Sequence, residues 1–86
     1  MALFLIERSF AEQVEMNKEA VEGITRINDD NDIRWLQSFL SSDKKKTYCL
    51  YEAESADAIK NASKALNIPC DTIVELGDTL TPEAFV

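Results

Sequence analysis

Between residues 33 and 53 the chain sets two aromatic-rich apolar runs, IRWLQSFL and TYCLYEA, on either side of the polar turn Ser41-Ser42-Asp43-Lys44-Lys45-Lys46. Bulky apolar residues occupy both parities of these runs, whereas a hairpin with one face in water alternates strictly. The pattern predicts a pair of antiparallel strands covered on both sides. In so short a chain one cover is its own helices, and the second is expected from another copy or a ligand.

Residues 3–7 read as a first strand, followed by a polar connector over 8–15 that Phe10 and Val14 tack to the core. Asn17 is a good N-cap, and Met16 before it is placed to staple onto Val21. Ala20, Val21, Ile24 and Ile27 follow at helical spacing as one apolar stripe. Gly23 costs that helix about 1 kcal/mol relative to alanine, which a close approach to the sheet would explain. The run Asn28-Asp29-Asp30-Asn31-Asp32 stops the helix. Ser55 caps a second helix with Asp57 in its first turn, and Ile59, Ala62, Ser63 and Leu66 form its buried stripe. Asn67 suits the left-handed position after it, and Pro69 prevents continuation. Residues 72–76 make the last strand.

The order strand, helix, strand, strand, helix, strand predicts an α+β fold. Two right-handed strand-helix-strand units joined through the hairpin give the ferredoxin-like sandwich, a four-stranded antiparallel sheet with both helices on one face. Within it the first and third strands are expected to lie parallel in the centre, the second antiparallel to the third. Residues 1–76 form the domain. Residues 77–86 are a C-terminal tail with few anchors, expected to be mobile, whose Leu80, Phe85 and Val86 could lie across a neighbour.

At 86 residues such a domain buries roughly 60–65% of its unfolded surface, so pairing with a second copy adds useful stability. The net charge of −7 opposes nucleic-acid binding, which needs clustered Lys and Arg, and equally opposes docking on anionic membranes. Lys44-Lys45-Lys46 read as a solvated hairpin tip. The apolar run over residues 2–6 is too short for a signal peptide or a membrane span, so a soluble cytoplasmic protein is expected. Cys49 and Cys70 read as reduced packing residues. Nucleophilic catalysis by Cys49 lacks a histidine base, and no glycine-rich phosphate loop is present.

The segments LFLIERSF, INDDNDIRWLQSFLSSDKKKTYCLYEA and IPCDTIVEL resemble a family of short ferredoxin-like proteins of largely unknown function, some of whose members bind nickel. The resemblance implies a dimeric α+β barrel with a small-ligand or metal role. Nickel-binding relatives depend on histidines, and this chain has none. Replacing imidazole would require thiolates or a carboxylate set, and Cys49 and Cys70 offer two sulfurs, so the nickel site maps onto no position.

Two constellations are candidates for chemistry. Glu7, ending the first strand, Glu52, ending the third, and Arg34, beginning the second, are expected at one end of the sheet. There two carboxylates and a guanidinium could serve acid-base chemistry or hold a polar ligand, or simply form a salt-bridge cluster. A one-residue change of register sends Arg34 and Glu52 to opposite faces. Trp35, Phe39, Tyr48 and Tyr51, with Gln37 and Ser38 as polar groups, could line a cleft between the sheet and a partner chain, or serve core packing and dimer contact. The expected function is a homodimeric binding or accessory protein that holds a small ligand or partner at the sheet face, with no catalytic residue assigned. The alternatives are a cofactor-free dimeric α+β barrel enzyme of oxygenase or isomerase type, and metal binding.

Overall fold

The computed structural model describes residues 1–78 and 80–85. Strand β1 (Ala2–Ser9) leads to helix α1 (Lys18–Asp30), then β2 (Arg34–Leu40), β3 (Lys46–Ala53), helix α2 (Ala56–Leu66) and β4 (Thr72–Leu76), with a 3-10 turn at Pro82–Phe85. The four strands form one sheet in the order β2-β3-β1-β4, and all three pairings are antiparallel. This is the ferredoxin-like architecture.

One expectation about it is corrected. β1 and β3 run antiparallel, with Leu5 opposite Leu50 and Ala2 opposite Ala53. The reason is topological. The crossover through α1 leaves a one-strand gap between β1 and its parallel mate β2, and the hairpin return β3 fills that gap, so β3 opposes both neighbours.

The pleat sorts the strand residues into two faces. Toward the helices point Phe4 and Ile6 of β1 and Cys49, Tyr51 and Ala53 of β3. They form the buried core with Ile33 and with Ile59 and Ala62 of α2. Toward the other side point Leu3, Leu5, Tyr48, Leu50, Val74 and Leu76, opposite one another in register across β3, β1 and β4. Val74 is 45% exposed there and Phe39 of β2 is 54% exposed.

Helix α2 forms as its sequence dictates. The Ser55 hydroxyl accepts the Ala58 N–H at 3.3 Å, Ile59, Ala62 and Ser63 are buried, and Asn67 takes the left-handed conformation at φ 55°. Helix α1 is capped as expected, by an Ala20 N–H bond to the Asn17 side chain at 2.8 Å, but it sits differently. Ala20, Ile24 and Ile27 are only half-buried, Val21 is exposed, and Asn28 is its one buried residue. Met16 is exposed as well, so no staple buries Met16 or Val21. A Cβ on Gly23 would meet nothing within 4 Å, which overturns the close approach expected there. The amino-terminal half of α1 stands off the sheet.

β1 extends to Ser9 and thereby carries Arg8 into the interior at 4% exposure. Leu80 is 78% exposed, and the expectation for the side chains of Phe85 and Val86 falls outside the described residues. Among the described residues no helix is long and apolar enough to cross a membrane.

Candidate functional site

The space left by α1 is a cavity of about 690 Å³ on the helix side of the sheet. It is partly open to solvent, bordered by exposed residues such as Glu12 and Met16, and is therefore a pocket in the surface and not a void in the core. Its volume lies within the range of small-molecule sites.

Four segments line it. The connector between β1 and α1 crosses one side and contributes Phe10 and Val14. Two backbone bonds strap it to the hairpin tip, from Phe10 N–H to Lys45 O at 2.8 Å and from Val14 N–H to Lys44 O at 2.7 Å. The tip is itself rigidly built: Ser41 Oγ donates to the Asp43 carboxylate at 2.6 Å, the Lys45 N–H donates to the same oxygen, and Lys44 adopts φ 63°. The hydrogen bond from Ser41 holds the exposed Asp43 carboxyl below its ordinary range, with the Lys45 N–H acting in the same direction. Helix α1 supplies Ala20 and Ile24, the end of α2 supplies Leu66, and the turn after it supplies Ile68. The sheet is the floor.

That floor carries the polar groups. Arg8 donates from Nη1 to the Ser63 hydroxyl at 2.9 Å and to the Pro69 carbonyl at 2.6 Å, and from Nη2 to the Tyr51 hydroxyl at 3.5 Å. Its guanidinium carbon lies 5.8 Å from the Tyr51 ring centroid. Burial holds the Tyr51 phenol above its ordinary range, against the opposing pull of Arg8. The Cys49 thiol contacts the Thr47 hydroxyl at 3.6 Å, and both Cys49 and Cys70 are free. At the β2 edge Trp35 donates its indole N–H to the Ser38 hydroxyl at 2.8 Å.

The candidates from the sequence divide between the two faces. Trp35 lines the cavity, and Phe39 contributes at its edge, although its cross-strand partner is Tyr48. The expected cleft between sheet and partner therefore gives way, for Trp35 and Tyr51, to a cavity on the opposite face. Gln37 pairs with Leu50, and Arg34 lies directly opposite Glu52, so register does put those two on one face. They form no ion pair. Glu7 does not join them. It faces Tyr48, whereas Glu52 faces Leu3, roughly 13 Å along β1 at strand rise. The antiparallel run of β3 is the cause. Glu7 pairs instead with Lys46 at 3.1 Å, an exposed contact of modest worth. Arg8 and Ser63 join the site beyond the candidates the sequence offers. The signal for Arg8 is parity, because it continues the inward series Phe4, Ile6; that for Ser63 is its polar place in the buried stripe of α2.

The donor set does not fit nickel. The chain has no histidine, and among the described residues no three Cys, Asp or Glu side chains gather around a common point. A transition-metal site needs such a set.

No curated protein matches this chain. Among solved structures, the crystal structure of SCO4226 from Streptomyces coelicolor A3(2) superposes with a TM-score of 0.71 at 17% identity, covering 92% of this chain and 100% of that one. At that identity the likeness speaks to the fold. Residues 4–76 match the family described as nickel responsive protein, SCO4226-like. With most of its length matched, the chain belongs to the SCO4226-like family of nickel responsive proteins.

Proposed function

We propose that this chain is a homodimeric binding protein of the cytoplasm, which pairs through the open face of its sheet and takes a small ligand into the cavity under α1. The observation that carries the binding role is the cavity itself. About 690 Å³ is left beside a core of a few side chains, walled by apolar groups and floored by a small set of hydroxyls and one guanidinium. That composition is characteristic of sites that recognise small molecules.

The pairing rests on the other face, where Leu3, Leu5, Leu50, Val74 and Leu76 lie together in register on the side away from the core that α2 covers. A contiguous apolar patch on a small domain marks an interaction surface, and a second copy covers such a face isologously. Two free thiols accord with a reducing compartment. The enzyme reading needed Glu7, Arg34 and Glu52 together, and the antiparallel register separates Glu7 from the pair.

Trp35 is the sole tryptophan and lines the cavity, so its emission reports occupancy directly. Titration with a panel of small apolar and amphipathic compounds should shift Trp35 emission and raise the unfolding temperature for those that enter. A panel that changes neither would overturn the binding role.

A further inference from the structure

We infer that the cavity takes an amphipathic organic anion, with its carboxylate bound by Arg8 and its apolar body lying between the connector and α1; this deepens the binding role proposed above and rests on it. The starting point is the state of Arg8. It is a cation buried to 4% exposure, and among the described residues no carboxylate pairs with it, the one ion pair being Lys46 with Glu7. Charged side chains are almost never fully buried without a partner, because desolvation disfavours an uncompensated charge.

The neutral groups around it satisfy it only in part. A guanidinium carries five N–H donors. Three of them are taken up, by the Ser63 hydroxyl, the Pro69 carbonyl and, at a long 3.5 Å, the Tyr51 hydroxyl. None of the three acceptors is charged, and the side chain borders the cavity. Arg is also the residue whose planar fork matches a carboxylate in bidentate fashion. Ser63 and Pro69 hold that fork in place from the α2 side, so its geometry is set before a ligand arrives.

The rest of the wall specifies the other end of the ligand. Phe10, Val14, Ile24 and Ile68 are apolar and come from the segments that stand opposite the sheet. Glu12 and Glu15, both exposed, border the same space and disfavour an anion lying across its outer side. One cation on the floor and oil on the walls select a molecule with one anionic end.

The test uses the intact protein with octanoate and octanol, two probes of matching length that differ in charge. Each is titrated by Trp35 emission and by shift of the unfolding temperature. Octanoate should bind at least tenfold tighter than octanol. An Arg8→Met variant should lose that preference while still binding octanol, and the exposed Lys60→Met should keep it, which separates a local effect from net charge. Equal binding of the two probes to the unmodified protein would overturn the anion site and leave the cavity role standing. Binding of neither would remove both. The comparison of probes on the unmodified protein decides the matter even where Arg8→Met fails to fold.

Discussion

Trp35 and Ser38 share a hydrogen bond of 2.8 Å although they stand three residues apart on one strand, where a regular pleat would send them to opposite faces. A register shift between Trp35 and Gln37 resolves this: Leu36 has no partner on β3, and Trp35 opposite Tyr51 is followed by Ser38 opposite Cys49. Bulges of this kind re-aim side chains at sheet edges. Here the bulge turns both the indole and the hydroxyl toward the cavity. Replacing Ser38 with alanine should leave a half-buried indole N–H without its partner and cost about 0.5–1.5 kcal/mol of stability, with the Trp35 emission altered as well. Urea unfolding checks the first part. An unchanged midpoint with unchanged emission would mean that water replaces the hydroxyl at no cost.

Gly23 is half-buried and faces open space. Gly23→Ala should therefore gain the helix propensity that glycine forfeits, raising stability by about 0.5–1 kcal/mol. Chemical denaturation of the two proteins side by side is the measurement. A loss of stability would place an unseen neighbour against that position.

Tyr51 gives the protein a dependence on alkaline pH. Its phenol titrates above the ordinary 10.0, with burial as the leading cause. The unfolded chain therefore releases that proton before the native one does. Its contribution is fully present below the ordinary value and falls away as pH rises through the native one. Unfolding free energy followed from neutral pH to beyond about 10 should decline, and Tyr51→Phe should flatten that decline. Equal slopes for the two proteins would contradict the assignment.

Leu5 and Leu50 face each other at the centre of the open sheet face. If the proposed dimer pairs through this face, a single Leu5→Glu or Leu50→Glu change should convert it to a folded monomer, seen as a halved mass in sedimentation and an unaltered far-ultraviolet spectrum. Trp35→Ala should leave assembly intact, because Trp35 belongs to the other face. A stable dimer in both glutamate variants would place the contact elsewhere.

Helix α2 and β4 were legible in the sequence because several local signals agree there: Ser55 caps, Asn67 turns, Pro69 forbids continuation, and Ile59, Ala62 and Ser63 keep one phase. The excess of apolar residues on both parities of the hairpin likewise marks a sheet with two apolar faces. The direction of β3 against β1 was not legible, since it follows from which gap the hairpin fills and no single residue encodes that. The bulge is not legible either, because Leu36 and Gln37 fit either face by composition. The burial of Arg8 is hidden from the sequence for a sharper reason. A charge after an apolar run looks like the end of a strand, and its burial depends on acceptors 55 and 61 positions away, Ser63 and Pro69. Phe10 and Val14 read as anchors in the sequence, yet the cavity they help line arises from how α1 sits over the sheet, which propensity and spacing leave unspecified.

Alternation along β1 acts as a partition. Phe4, Ile6 and Arg8 serve one compartment, and Leu3, Leu5 and Glu7 serve the surface behind it. Neighbouring codons thus answer to different demands. A lineage can change what lies under α1 one substitution at a time without touching the reverse side of the same strand, and the converse holds equally.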